Sequence, residues 1–382
     1  MTTDRRKFLG VMAGAGAAVG AAALASSKAL AQQVTPQAPQ APVYPDPPPA
    51  APGPIRIPVP GSVAPLKNKT DYEALRQKRI AEVDDETRYI NFRDIPPPSR
   101  APMPEGGLAP GVKAYNVDVD GADGKFPMRI YMPDGAKKPI GIYLHTHGGG
   151  WGGFEGFDPR QDATNSGYVK DWGCAVAAPD FRVSWDAKFP ASIDDCFAAY
   201  KHLLGHDKAL GIDKTRIGIG GGCTGANLAT VIALMARDAK VQKPAIQWLW
   251  SGVFDTRNNT QSYDEFAKYS LPLAIADTVT NFYLSKREDV YDWRSSPILA
   301  KTMKGLSPAL IWAGEWEVLR DESQQYYNRL RDAGVDVTYI EGPQQPHGGI
   351  YSINPVTGQP TKYSRETVPL INKIMRRYIG PR

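Results

Sequence analysis

The stretch Arg216-Ile217-Gly218-Ile219-Gly220-Gly221-Gly222-Cys223-Thr224-Gly225-Ala226-Asn227-Leu228-Ala229 decides how the rest of the chain is read. It predicts a short apolar strand, an abrupt glycine-rich turn and a helix that opens on small residues. The turn spells Gly221-x-Cys223-x-Gly225, the spacing of a G-x-S-x-G nucleophile elbow with sulfur where the hydroxyl usually stands. A strand-to-helix turn this tight strains the backbone of its central residue, and the positions two before and two after must be small for neighbouring chains to pass. Cys223 is thereby pushed out over the end of a sheet. The N-terminus of the following helix aims amide hydrogens and positive dipole at it, which favours a thiolate. On these residues alone, a structural cysteine in a glycine-rich turn fits equally well.

Working outward, two strands are predicted at residues 114–119 and 128–132, around the turn Asp120-Gly121-Ala122-Asp123-Gly124. Residues 139–145 form a continuous apolar run, as expected in a sheet buried on both faces, and empty into Thr146-His147-Gly148-Gly149-Gly150-Trp151. A strand at 174–178 leads to a helix at 191–204 and then to the elbow. Beyond it come strands at 245–250, 309–313 and 335–340, a helix at 322–333 and a C-terminal helix from about residue 366. This alternation indicates an α/β fold with a mostly parallel central sheet and helices on both faces.

The N-terminus reads as targeting rather than structure. Arg5-Arg6 precede a weakly hydrophobic Ala/Gly run closed by Ala29-Leu30-Ala31, so residues 1–31 resemble a bacterial twin-arginine export peptide. Residues 32–66, rich in proline, alanine and glutamine, form an extended linker without a core. Residues 67–111 carry a ragged helical stripe (Tyr72, Leu75, Ile80, Val83) expected to fold back as part of a small helical lid, and residues 112–382 make the main domain. The expected location is periplasmic or secreted, with the twin-arginine machinery as the export partner and no stable membrane insertion after cleavage.

The 382 residues, 42% of them hydrophobic, suffice for one large core. The net charge of +5 falls to +2 without residues 1–31, because 41 Lys/Arg then face 39 Asp/Glu. No basic block remains to neutralise phosphates, which excludes a nucleic-acid partner. Cys174, Cys196 and Cys223 are too few and too scattered for a disulfide framework or a zinc site. Cys174 and Cys196 read as buried hydrophobes, their oxidation state open. His145-x-His147 lacks a third ligand, and His202 and His206 read as a solvated helix face, so neither a metal nor another cofactor is expected.

Five landmarks fall in a recognisable order: His147-Gly148-Gly149-Gly150-Trp151; Asp180-Phe181-Arg182 followed by Phe189-Pro190-Ala191 and Asp194-Asp195-Cys196; the elbow; Glu317-Val318-Leu319-Arg320-Asp321-Glu322; and Pro346-His347-Gly348. From about residue 112 to 380 the chain resembles the hormone-sensitive-lipase-like branch of the α/β-hydrolases, the esterases with an HGGG motif. The resemblance implies an α/β-hydrolase fold. It also implies a nucleophile at Cys223, a base at His347, an orienting acid at Glu317 with Glu315 and Asp321 as rivals, and an oxyanion hole from the amides of Gly149, Gly150 and Thr224. The order nucleophile, acid, histidine is the one this fold uses. Trp151, Trp185, Trp250 and Trp316 fall on segments leading to the cleft and are candidate pocket walls.

The chain departs from that family at the elbow, where G-D-S-A-G becomes Gly221-Gly222-Cys223-Thr224-Gly225, and at the acid, where Glu317 replaces Asp. A longer acid paired with a larger sulfur nucleophile can compensate geometrically. Because a thiolate leaves more readily than an alkoxide, the expected small-molecule substrates are esters, thioesters and activated lactones rather than amides. The dienelactone hydrolases resemble this Cys-His-acid arrangement. Two other readings stay open: an inactive binding protein on the same fold, and an acyltransferase using the same acyl-enzyme.

Overall fold

A computed structural model describes residues 107–151, 159–184, 186–258, 260–266, 280, 283–353 and 358–382. The expected export signal and linker and residues 67–106 of the expected lid segment lie outside the described residues.

Strands β1 (Val112–Gly121) and β2 (Gly124–Pro133) form a hairpin, in register from Val112 opposite Pro133 to Gly121 opposite Gly124. Then follow β3 (Ile140–His145), α1 (Pro159–Trp172), β4 (Ala175–Pro179), α2 (Ala191–Gly205), the short α3 (Asp207–Leu210) and β5 (Ile212–Gly222). The chain continues with α4 (Thr224–Asp238), β6 (Ile246–Trp250), α5 (Gln261–Phe266), β7 (Ala309–Gly314), α6 (Arg320–Asp332), β8 (Val337–Gly342) and α7 (Lys362–Ile379). The eight strands lie in the order β1-β2-β4-β3-β5-β6-β7-β8. β2 pairs antiparallel with both β1 and β4, and every other pairing is parallel.

The two sheet faces are separate cores, and alternation along the strands assigns residues to them. From β3, Ile142 and Leu144 join one core with Ile193 of α2, Val231 of α4 and Leu330 of α6. Tyr143 joins the other, with Trp172 of α1 and Ile371, Met375 and Ile379 of α7. Arg216 locks the second layer to the sheet, donating to the Gly380 carbonyl at 2.7 Å and the Pro139 carbonyl at 2.9 Å while pairing with Asp213 at 2.9 Å.

The predicted elements are present with shifted ends. The β1 and β2 strands run longer than the apolar alternation suggested, because the hairpin ladder continues through polar positions to a two-residue turn at Ala122-Asp123. α1 is absent from the sequence expectations. Its first turns carry Gln161, Asp162, Asn165 and Ser166, and its apolar face consists of Tyr168, Val169 and Trp172 near its end. All three cysteines are free. Cys174 and Cys196 are buried in different cores on opposite sheet faces, which separates them beyond the reach of a disulfide. Between β6 and β7 the described residues include α5 and a 3₁₀ turn at Arg287–Tyr291.

Candidate active site

β5 delivers the chain to Cys223 at the carboxyl end of the sheet, and α4 starts at the next residue. Cys223 has φ 56° and ψ −126°, a left-handed geometry rare for a side-chain-bearing residue. Sterics enforce it. A Cβ on Gly221 or on Gly225 would lie 2.0 Å from the Thr146 carbonyl oxygen, so the strand, the helix and the loop after β3 meet only because both positions are bare. Thr146 binds this junction further, its hydroxyl donating to the Gly225 carbonyl at 2.8 Å. The Cys223 amide donates to the Trp250 carbonyl (3.1 Å), and its carbonyl accepts from the amides of Ala226 (3.1 Å) and Val253 (3.2 Å). The backbone is saturated and the half-buried thiol points away from it.

The loop after β3 folds against the sulfur. Gly149 and Gly150 have φ of 101° and 67°, and Trp151 follows at 55°. The amides of Gly149 and Thr224 are hydrogen-bonded to Cys223. Gly150 continues the same turn, buried. The structure thus aims two of the three expected oxyanion donors at the sulfur.

His347 lies in the loop after β8. Its Nδ1 is 2.9 Å from Oε2 of Glu317, and the same imidazole is hydrogen-bonded to Cys223. Glu317 is fully buried, which a carboxylate tolerates only when its oxygens are occupied. Its Oε1 accepts from the Gly314 amide (2.6 Å) and the Ser251 hydroxyl (3.2 Å), and the Ser251 oxygen in turn accepts from the Gly348 amide (3.0 Å). The rival acids are engaged elsewhere: Glu315 accepts from the Gln344 amide at 2.9 Å, and Asp321 accepts from the Ser262 amide at 2.8 Å while pairing with Arg320. Sequence reasoning missed Ser251. Its one signal is a hydroxyl directly after the buried β6, at the sheet end where the site forms.

Electrostatics follow the geometry. Burial by itself drives the Cys223 thiol up, but the His347 charge, the hydrogen bond to it and the amides of Thr224 and Gly149 outweigh burial and leave the thiol below its usual 9.0. Burial likewise opposes the His347 imidazolium. Cys223 and then Glu317 reverse this, lifting it from 6.5 to about 10. Both shifts run in the direction of a thiolate facing an imidazolium. Burial dominates at Cys174 and Cys196, and it pushes both thiols up.

The candidate pocket aromatics divide. Trp151 is buried and stacks on Tyr283 with ring centroids 4.1 Å apart. The Trp250 ring fills the space beside Gly222, where a Cβ would come within 2.2 Å of it, and it meets Tyr351 edge-on at 5.5 Å. Its position explains the missing family acid at 222, since only glycine fits under that indole. Trp316 is half-buried and donates its amide to the Gln345 carbonyl in the histidine loop (3.0 Å). Trp185 lies outside the described residues.

His145 donates from Nδ1 to Asn165 (2.6 Å) and His147 to the Gly148 carbonyl (2.9 Å), and burial lowers both to about 4, so each is neutral. His202 and His206 stack on each other at 4.0 Å. Among the described residues no three His, Cys, Asp or Glu side chains converge as metal ligands, and no helix is long and apolar enough to cross a membrane.

Comparison with known proteins agrees with this architecture. The chain is similar to the arylesterase of Saccharolobus solfataricus, 30% identical over 217 residues that cover 56% of this chain and 69% of that one. The carboxylesterase NlhH of Mycobacterium tuberculosis is 30% identical over 245 residues, covering 62% and 75%. Among solved structures, EstE1, a thermostable carboxylesterase cloned from a metagenomic library, superimposes with a TM-score of 0.66 at 25% identity, covering 80% of this chain and 98% of that one. A family model for the alpha/beta hydrolase fold matches residues 143–350, the span that runs from β3 through the elbow to the histidine loop, and the chain belongs to that family.

Proposed function

We propose that this protein hydrolyses carboxylic esters, thioesters or activated lactones through a covalent acyl-thioester on Cys223, with His347 as proton carrier and Glu317 as its orienting acid. The carrying observation is the continuous link from the Cys223 sulfur through the His347 imidazole to the buried Glu317 carboxylate. The esterase names of its relatives support the substrate class.

In the first half-reaction the thiolate attacks the acyl carbon and a C–S bond forms. The carbonyl electron pair moves onto oxygen, where the amides of Gly149, Gly150 and Thr224 receive it. Collapse expels the leaving group, which takes the proton held by the His347 imidazolium. Water then attacks the thioester while His347 accepts its proton. Expulsion of the Cys223 thiolate releases the acid and leaves the imidazolium in place. Glu317 holds the imidazole by Nδ1, so that the opposite nitrogen faces sulfur and substrate. Trp151, Trp250 and Trp316 wall the acyl site in this reading. Residues 1–31 direct export through the twin-arginine machinery to a periplasmic or secreted location, and residues 32–66 tether the hydrolase domain of residues 112–382.

The test is intact-mass measurement after exposure to a chromogenic short-chain ester. An acyl adduct in the wild type that is absent from Cys223→Ala supports the reading. No adduct and no turnover with any ester, thioester or lactone tried would end it. Added alcohols or amines that divert product from the free acid would redirect the assignment to acyl transfer.

A further inference from the structure

Among the described residues of the loop after β3, Trp151 is the one that adopts left-handed backbone geometry, at φ 55°, without being glycine. Such a conformation costs on the order of 1–3 kcal/mol and persists only where the surroundings over-determine it. Here three contacts hold the residue. Its carbonyl accepts from the Ser184 amide at 2.7 Å, its indole lies flat on Tyr283, and its amide donates to the Thr224 hydroxyl at 3.3 Å. The last contact joins the loop to the elbow itself. Thr224 is buried, follows the nucleophile directly, and stands where the esterases this chain resembles usually carry alanine, which has no atom able to make the bond.

We infer that the Thr224 hydroxyl is a positioning group that latches the 149–151 loop onto the elbow and so keeps the Gly149 amide on the Cys223 sulfur and on the oxyanion that develops beside it. Two features favour the latch in a cysteine enzyme. Sulfur is larger than oxygen, so the amide that serves both thiolate and oxyanion must be held at a different stand-off. Positive φ at three consecutive residues gives the loop no regular secondary structure to hold it there. The inference rests on the proposed hydrolase chemistry for its kinetic consequence, but not for its effect on the thiolate.

The test compares Thr224→Val, Thr224→Ala and Thr224→Ser in the full chain. Alanine is the usual residue of the related elbows, which guards against a folding failure of the valine variant. The first measurement is the pH dependence of Cys223 alkylation by iodoacetamide, mapped by peptide mass, which requires no turnover. Loss of the latch moves the midpoint upward by roughly 0.5–1 pH unit in the Val and Ala variants, while Ser stays with the wild type. The second is hydrolysis of 4-nitrophenyl acetate. Here kcat falls about 10-fold in Val and Ala with KM within about twofold, and Ser restores it. Wild-type alkylation profiles and kcat in the Val and Ala variants would overturn the latch, as would a Ser variant no better than Ala. A wild-type enzyme that turns over no ester refutes the hydrolase reading instead, and the alkylation profile then decides the latch alone.

Discussion

At the elbow, Cys223 is held by the absence of atoms: bare positions at 221 and 225 let three backbone segments meet, and the strained φ of 56° follows from their contact. Across the site, His347 is held by the presence of partners, a chain running from Gly348 through Ser251 to Glu317 and on to the imidazole. The first half is a steric device and tolerates no added volume. The second is a polar network that loosens by degrees as links are removed. The nucleophile is therefore fixed mainly by backbone geometry, while the base depends on the side chains of Ser251, just after β6, and Glu317, in the loop after β7, with the Gly314 amide at the end of β7.

The sharpest way to break the comparison is to add one carbon to the elbow. Gly221→Ala or Gly225→Ala places a methyl 2.0 Å from the Thr146 oxygen, where only backbone movement can relieve it. A destabilisation of about 3 kcal/mol is expected, visible as a lowered denaturation midpoint, with loss of acyl-adduct formation. A Gly221→Ala protein as stable and as active as the wild type would show that the elbow is not sterically set.

On the network side, Glu317→Gln keeps the size of the side chain and removes the charge. Turnover should fall by at least ~100-fold, whereas Glu315→Gln and Asp321→Asn, whose carboxylates serve the amides of Gln344 and Ser262, should stay within about threefold of wild type. Full activity in Glu317→Gln would transfer the orienting role to one of those two. The pH profile gives the same test a sign. Acylation rises as the Cys223 thiolate forms, below the ordinary 9.0, and falls as the pH passes about 10, where His347 surrenders its proton. Because Glu317 is one of the groups lifting His347, its replacement should draw the alkaline limb downward and leave the acid limb less displaced.

The contrast also explains what could be read from the sequence. Steric devices are local, so the Gly221-x-Cys223-x-Gly225 pattern, the apolar run into β3 and the glycines at 148–150 carried their meaning in a few adjacent residues. The fold followed from their order. Network devices are not local. Glu315 and Glu317 lie on the short connection after β7 and Asp321 in the first turn of α6, and only the arrangement of β7, β8 and the histidine loop selects which faces the imidazole. Ser251 was invisible for the same reason: the partners of its hydroxyl stand at 317 and 348, far along the chain. Likewise Trp250 accounts for the glycine at 222 only once β5 and β6 lie side by side, Gly222 opposite Trp250. The α1 helix escaped notice because its apolar side chains crowd into its last turns.

Ser251→Ala is the mildest of these perturbations and the one that separates the two halves most cleanly. It removes one of three contacts to Glu317, the buried one from its own hydroxyl, and leaves the half-buried Gly348 amide without its acceptor, while touching nothing at 221–225. An unmade buried hydrogen bond costs about 1–3 kcal/mol, so the denaturation midpoint should drop modestly. Glu317 retains the Gly314 amide, so His347 is loosened rather than released. Turnover should fall roughly 10-fold, a tenth of the minimum expected for Glu317→Gln. The acid limb of Cys223 alkylation should move only slightly, because His347, the largest influence holding the thiol down, is loosened but keeps its place beside the sulfur, and the amides of Thr224 and Gly149 still meet it. If the alkylation midpoint shifts as far in Ser251→Ala as in Thr224→Val, the two halves are not independent, and loosening the histidine reaches the sulfur as strongly as loss of the latch.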